Sequence, residues 1–277
     1  MGKIYQALEK AERTDRDQWQ ARDITLYDFE LDDKLVVLGR PGSPIAEQFR
    51  FLRSNITRPA DCQAPKTILI TSALQGEGKS FVASNLAATI AQGLDEFVLL
   101  VDADLRNPQL HKIFGLLQGT ERGLTTHLSK GAPLSELLHK TSIEKLTILP
   151  AGESKANPAE LLASNRMKNL VSELRNRYQD RVVIFDSPPL ELAPETSILG
   201  NEVDGVFLVV RRASAPRDIV RSTLERFNQE KFMGIILNDD KNTSKRYKGS
   251  KRHSNAYGYG YGYGYGYGYG YGQEEKD

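Results

Sequence analysis

Six short apolar runs constrain the fold of this chain more than any other feature: TILITS at 67–72, FVLLVDAD at 97–104, LTILPAG at 146–152, VVIFDSPP at 182–189, GVFLVVRR at 205–212 and FMGIILND at 232–239. Each is continuous rather than alternating. A strand with one wet face alternates apolar and polar residues, whereas a strand covered on both faces reads as an unbroken apolar stretch. Helical patterns separate most of the runs, around 79–92, 158–178, 194–201 and 216–229. Strand followed by helix, repeated in this way, predicts an α/β chain with a doubly wound, mostly parallel sheet and right-handed crossovers.

The remaining sequence divides into two flanks around that pattern. Residues 1–43 form an N-terminal helix and connecting segment, with Ile4, Ala7, Leu8 and Ala11 at helical spacing and a GRPGSP loop at its end. Residues 44–240 form the domain proper, opening with a helix over PIAEQFRFLRSNI that sets Phe49, Leu52 and Ile56 apart from Glu47, Arg50 and Arg53. Residues 241–277 are a polar, basic linker followed by eight tyrosines that alternate with glycine, a composition that cannot bury enough apolar surface to order itself. Cys62 is the only cysteine, so an intrachain disulfide or cysteine-rich metal site is not expected. The net charge of +1 gives no reason to expect nucleic acid as a partner. No apolar run approaches the roughly 20 residues a membrane helix needs, and the charged N-terminus lacks a signal-peptide core. Met1-Gly2 begins a myristoylation motif that then fails at Gln6. These features predict a cytoplasmic protein.

The first apolar run leads into ALQGEGKS at 73–80, which has Walker A spacing except that Ala73 stands at the first glycine. Gly76 and Gly78 allow backbone N–H groups to approach phosphate oxygens, and the start of the following helix adds a positive end. The expected nucleotide-binding stretch is Gly76, Glu77, Gly78, Lys79, Ser80 and Phe81, with Lys79 reaching the β- and γ-phosphates of ATP and Ser80 ligating Mg²⁺. The stretch is therefore expected to be a nucleotide site.

Ligands of open α/β sheets bind at the carboxyl ends of the strands. Two runs end in acids there: LLVDADLR with Asp102 and Asp104, and VVIFDSPP with Asp186. Asp186 has the position of a Walker B aspartate that holds Mg²⁺. Phosphoryl transfer to a hydroxyl needs a carboxylate near the acceptor, with Lys and Mg²⁺ balancing charge. Asp102 is the candidate acceptor of the proton, and Asp104 joins Asp186 at the metal; the division between Asp102 and Asp104 stays open. Asp also favours turns and helix caps, the ordinary alternative for any one of them.

Taken together, ALQGEGKS, LLVDADLR, VVIFDSPP and a tyrosine-rich C-terminus resemble the bacterial tyrosine kinases of polysaccharide synthesis, the BY-kinases, over residues 44 to 240. That family is similar in fold to the deviant-Walker ATPases of the cell-division-inhibitor and partition type, which implies a Rossmann-like P-loop NTPase domain. The resemblance implies an ATP- and Mg²⁺-dependent protein-tyrosine kinase with Lys79, Asp102 and Asp104 as catalytic residues. It also implies that the phosphoacceptors are Tyr257, Tyr259, Tyr261, Tyr263, Tyr265, Tyr267, Tyr269 and Tyr271, modified mainly between subunits. EQFRFLR matches the family's Glu-x-x-Arg-x-x-Arg motif, which implies a homo-oligomeric ring built through Glu47, Arg50 and Arg53. Arg106 fits its Asp-x-Asp-x-Arg pattern and NPAELL its segment ahead of Walker B. Further implied partners are a separate membrane polysaccharide co-polymerase as activator, which would hold the kinase at the inner membrane, and a tyrosine phosphatase. Asn238 sits where related P-loop proteins hydrogen-bond adenine, or else is an ordinary strand-end turn residue.

Two other readings compete. A partition- or division-type ATPase usually carries a lysine early in its phosphate loop, where this chain has Leu74, and has no use for a tyrosine tail. A nucleotide-binding scaffold could use the Tyr-Gly tract for cohesion, although glycine at every second place opposes an ordered strand. As a substrate the tract makes physical sense: a flexible segment of roughly 24 residues spans about 27 Å, so many phenols can visit one site in turn.

Overall fold

The computed structural model describes residues 31–59, 63–116, 118–153, 157–177 and 181–238. The expected N-terminal helix and the Tyr-Gly tail lie outside these residues. The described strands are β1 (Thr67–Ser72), β2 (Phe97–Asp102), β3 (His139–Lys140), β4 (Leu146–Leu149), β5 (Arg181–Asp186), β6 (Gly205–Arg211) and β7 (Phe232–Asn238). They form one sheet in the order β3-β4-β2-β5-β1-β6-β7. All neighbours are parallel except β3 and β4, which run antiparallel. The six apolar runs are the six parallel strands. β3 is an addition the sequence did not announce.

The helices are α1 (Val36–Gly39), α2 (Pro44–Thr57), α3 (Lys79–Ala91), α4 (Leu110–Ile113), α5 (Leu124–Lys130), α6 (Pro158–Leu162), α7 (Asn165–Arg177), α8 (Thr196–Glu202) and α9 (Arg217–Leu224). They cover both faces of the sheet, as the unbroken apolar strands require. Successive residues of β1 serve opposite cores: Ile68 and Ile70 pack with α2 and α3, and Leu69 packs with the cluster that includes Leu124, Leu170 and Leu199. Helix α3 is apolar almost all round because it is sandwiched between the sheet and α2.

Helix α2 starts at the GSP signal. Ser43 caps it by accepting a hydrogen bond from the Ala46 amide at 3.2 Å, and Pro44 occupies the first turn, where its missing N–H costs nothing. The helix expected over 158–178 is instead two. Ser164 interrupts it, its hydroxyl accepting from the Met167 amide and so capping α7. The described residues all fall within one compact unit that ends at Asp240. Leu35 and Val37, ahead of residue 44, are buried in its core beside α3.

Candidate active site

The loop after β1 is held in its phosphate-cradling shape by its own residues. Gly76 and Gly78 have φ of 81° and 94°, left-handed values that side chains disfavour. At Gly78 a Cβ would also come within 2.1 Å of the Asn238 side-chain nitrogen. That nitrogen donates to the Glu77 carbonyl at 2.9 Å, so Asn238 at the tip of β7 ties down the backbone of the loop. The Glu77 carboxylate is fully buried. It accepts from the Leu74 amide at 2.8 Å and from the Arg211 amide at 3.2 Å, bracing the loop against β6. Only the backbone of Glu77 is placed to serve a nucleotide. The Phe81 ring likewise faces away, edge-on to Phe49 of α2 at 5.8 Å.

Pairing in the sheet places the acids. Asp102 and Asp186 sit opposite each other at the ends of β2 and β5, and Asp186 neighbours Ile70 of β1. Strand β2 ends at Asp102, and the chain turns, so Asp104 is free to project elsewhere. Its Oδ2 lies 2.7 Å from the Lys79 Nζ and its Oδ1 accepts from the Asn107 amide. The Asp102 Oδ2 accepts from the amides of Gln109 and Leu110, both at 3.1 Å, while its Oδ1 has no partner. Neither oxygen of Asp186 has a well-formed hydrogen bond.

Three acids and one lysine buried together disturb one another. Burial pushes Asp102 well above the usual carboxylate range, and the neighbouring Asp186 charge adds to this. Burial pushes Asp186 up to about 6 against the pull of Lys79 and the nearby Ser80 hydroxyl. For Lys79, burial acts to lower the pKa, but Asp186, Asp104 and Asp102 outweigh it and the net direction is upward. Buried carboxylate oxygens without donors have the chemistry of a cation site, and Mg²⁺ commonly takes one or two protein ligands plus substrate phosphates. Ser80 and Asp186 fit that role. Asp104, expected beside the metal, has both oxygens occupied by Lys79 and the Asn107 amide.

Two features were not anticipated from the sequence. One is the bracing carboxylate of Glu77. The other is Glu195 at the start of α8, which pairs with Arg106 at 2.9 Å and links the loop after β2 to the loop after β5. A glutamate in APETS carries no signal of such a partner.

The predicted interface residues separate. Glu47 and Arg50 pair with each other on the surface of α2, and Arg50 also donates to the Pro41 carbonyl. Arg53 turns inward and donates to the Thr89 carbonyl of α3 at 3.2 Å.

A glycine-lined phosphate loop, an adjacent lysine and strand-end acids on a doubly wound sheet define a P-loop nucleotide-binding protein. No family model matches the chain. The tyrosine-protein kinase YwqD of Bacillus subtilis (strain 168) is 37% identical over 209 residues, 75% of this chain and 86% of that protein. The kinase domain of the Escherichia coli tyrosine kinase ETK superposes with a TM-score of 0.69 at 29% identity, covering 88% of this chain and 91% of the other. The septum site-determining protein MinD of Pyrococcus horikoshii OT3, solved with Mg-ADP, has a TM-score of 0.51 at 24% identity over 62% of this chain and 70% of its own, a likeness of fold alone. The chain belongs to the family of bacterial tyrosine-protein kinases.

Proposed function

We propose that this chain transfers the γ-phosphoryl group of ATP to the tyrosines of its own C-terminal tract, Tyr257 through Tyr271, acting between copies. The observation that carries this reading is the buried cluster of Lys79 with Asp102, Asp104 and Asp186 at the mouth of the phosphate loop. The backbone of Gly76 to Phe81 holds the phosphates, and Lys79 exchanges its bond to Asp104 for one to them. Ser80 and Asp186 would hold Mg²⁺, which would supply charge neutralisation on the phosphate oxygens. Asp102 is anchored through one oxygen and open at the other, and its raised proton affinity makes Oδ1 a better acceptor for a phenol proton. Asp104 positions Lys79.

The same reading places the kinase in polysaccharide synthesis or export, in the cytoplasm at the inner membrane through a separate co-polymerase that activates it, with a phosphatase reversing the modification. No helix among the described residues is long and apolar enough to cross a membrane. Phosphosite mapping by mass spectrometry tests the core of the proposal. After incubation with ATP, Mg²⁺ and the activator's cytosolic segment, phosphate is expected on several of the eight tail tyrosines. Phosphate on serine or threonine only, or none, refutes it.

A ring built through α2 makes a separate prediction. Arg50→Ala is expected to reduce the assembled mass in sedimentation while leaving the melting temperature nearly unchanged, since an exposed pair is worth about 0.3–0.5 kcal/mol. Arg53→Ala is expected to cost about 1 kcal/mol of stability through the lost bond to Thr89. Equal melting temperatures for the two variants contradict the division of roles.

A further inference from the structure

A groove of about 530 Å³ opens between α9 and the ends of β6 and β7. It lies on the opposite face of the sheet from the phosphate-loop helix. Val209 and Ile236 pack with α3, whereas their neighbours Val210 and Leu237 line the groove. Val220 and Leu224 of α9 complete an apolar floor. Helix α9 buries only Thr223, and Leu237 at the sheet edge remains 64% exposed. The rim is cationic: Arg211, Arg212, Arg217 and Arg221 all contribute to the lining, and no acid among the described residues does. Arg221 has one partner, Glu225 at 3.4 Å, in a pair exposed on both sides.

The turn between β6 and α9 keeps these arginines together at some cost. Ala213 has a φ of 56°, a left-handed value for a residue with a side chain. Such a conformation costs on the order of 1 kcal/mol and is retained where the surroundings over-determine it. The Arg212 amide donates to the Asn238 carbonyl at 3.0 Å, fastening the turn to the end of β7.

An apolar slot rimmed by guanidinium groups suits a ligand that is aromatic at its base and dianionic at its tip. We propose that this groove binds phosphotyrosine, and that its occupant is the phosphorylated Tyr-Gly tract of another copy of this chain. The proposal rests on the reading that the tract is phosphorylated. Each phosphotyrosine carries about −1.5 to −2 charges, which complements the rim, and two of its phosphate oxygens can accept the paired N–H bonds of an arginine fork. Glycine on either side leaves the ring unobstructed as it enters the slot.

The test uses the full chain, dephosphorylated beforehand and free of ATP, with a fluorescent synthetic Tyr-Gly repeat peptide read by anisotropy. The phosphorylated peptide is expected to bind at least about tenfold more tightly than the unphosphorylated one and than a Glu-Gly repeat. Arg217→Ala with Arg221→Ala, both at exposed positions, is expected to weaken binding by about tenfold or more. Arg217→Lys with Arg221→Lys keeps the charge but loses the fork, and is expected to recover only part of it. Mg-ADP is expected not to compete. Equal binding of phosphorylated and unphosphorylated or Glu-Gly peptides, indifference to the arginine variants, or competition by Mg-ADP overturns the proposal. A chain that fails to label its own tail with ATP refutes the kinase reading instead, because the synthetic peptide brings its own phosphate.

Discussion

Lys79→Met is expected to lower tail phosphorylation at least about a thousandfold, the loss typical when a charge that stabilises a transferring phosphoryl group is removed. Methionine preserves most of the stem while deleting the ammonium group, so the change isolates charge. The structure adds a second consequence. The Lys79 Nζ sits 2.7 Å from Asp104, and its charge also pulls Asp186 down. Removing it leaves three buried carboxyl groups, Asp102, Asp104 and Asp186, without the cation that faces them. Breaking a buried pair by deleting one partner costs about 3–5 kcal/mol. The variant is therefore expected to be less stable than the parent in urea at pH 8 by that order, and to recover on acidification as the acids take up protons. Phosphotyrosine detection measures the first effect and denaturation at two pH values the second. Activity above a tenth of the parent's, or a stability loss of the same size at pH 8 and at pH 4.5, contradicts the account.

How much of this site could be read from the sequence depends on how local each interaction is. The six parallel strands were legible because burial on both faces writes itself into a run such as TILITS without reference to any partner. Strand β3, two residues long and polar, has no such signature, and it exists only because β4 offers an edge. Gly76, Gly78, Lys79 and Ser80 were legible because a phosphate cradle needs those residue types at fixed offsets. The place of Glu77 in the same stretch predicts nucleotide binding, a role that remains open to its backbone but not to its side chain. Its carboxylate instead closes back on Leu74 and across to Arg211, a contact 134 residues away that no spacing rule reveals. Arg53 illustrates a subtler limit. In an α-helix a residue six positions on is rotated by about 120°, so Glu47 and Arg53 cannot share one face, however regular the Glu-x-x-Arg-x-x-Arg motif looks. Arg217 and Arg221 lie four apart on a helix, a spacing that carries no signal of a binding site on its own. Their significance emerged only when β6 and β7 brought Arg211, Arg212 and Leu237 beside them.

The unpartnered carboxylate of Asp186 leads to the second large expected effect, a variant that gains stability while losing function. An ordinary aspartate titrates near 3.9, and burial raises Asp186 to about 6 in the folded chain. A group whose folded pKa is raised contributes stability that is complete below the unfolded value and is lost as pH rises through the folded one. Between roughly pH 4 and pH 6 the nucleotide-free protein should therefore lose up to about 3 kcal/mol on this account, and hold that deficit at higher pH. Asp186→Asn removes the ionisation, and neither oxygen it replaces had a well-formed hydrogen bond to lose. Lys79 keeps Asp104 as its partner. The variant is expected to melt several degrees above the parent at pH 8, at about 2–4 °C per kcal/mol for a domain of this size, and to show little difference at pH 4.5. With nucleotide the order reverses. Mg²⁺ competes with a proton for Asp186, so in the parent the extra stabilisation by ATP with Mg²⁺ over ATP alone should grow as pH rises through about 6. In the variant that increment should be absent, along with tail phosphorylation. Thermal melts at pH 4.5 and 8, without nucleotide, with ATP and with ATP plus Mg²⁺, measure the stabilities, and phosphotyrosine detection measures the activity. A variant less stable than the parent at pH 8 would mean that the carboxylate is already compensated in the folded chain. An undiminished Mg²⁺ increment would remove Asp186 from the metal.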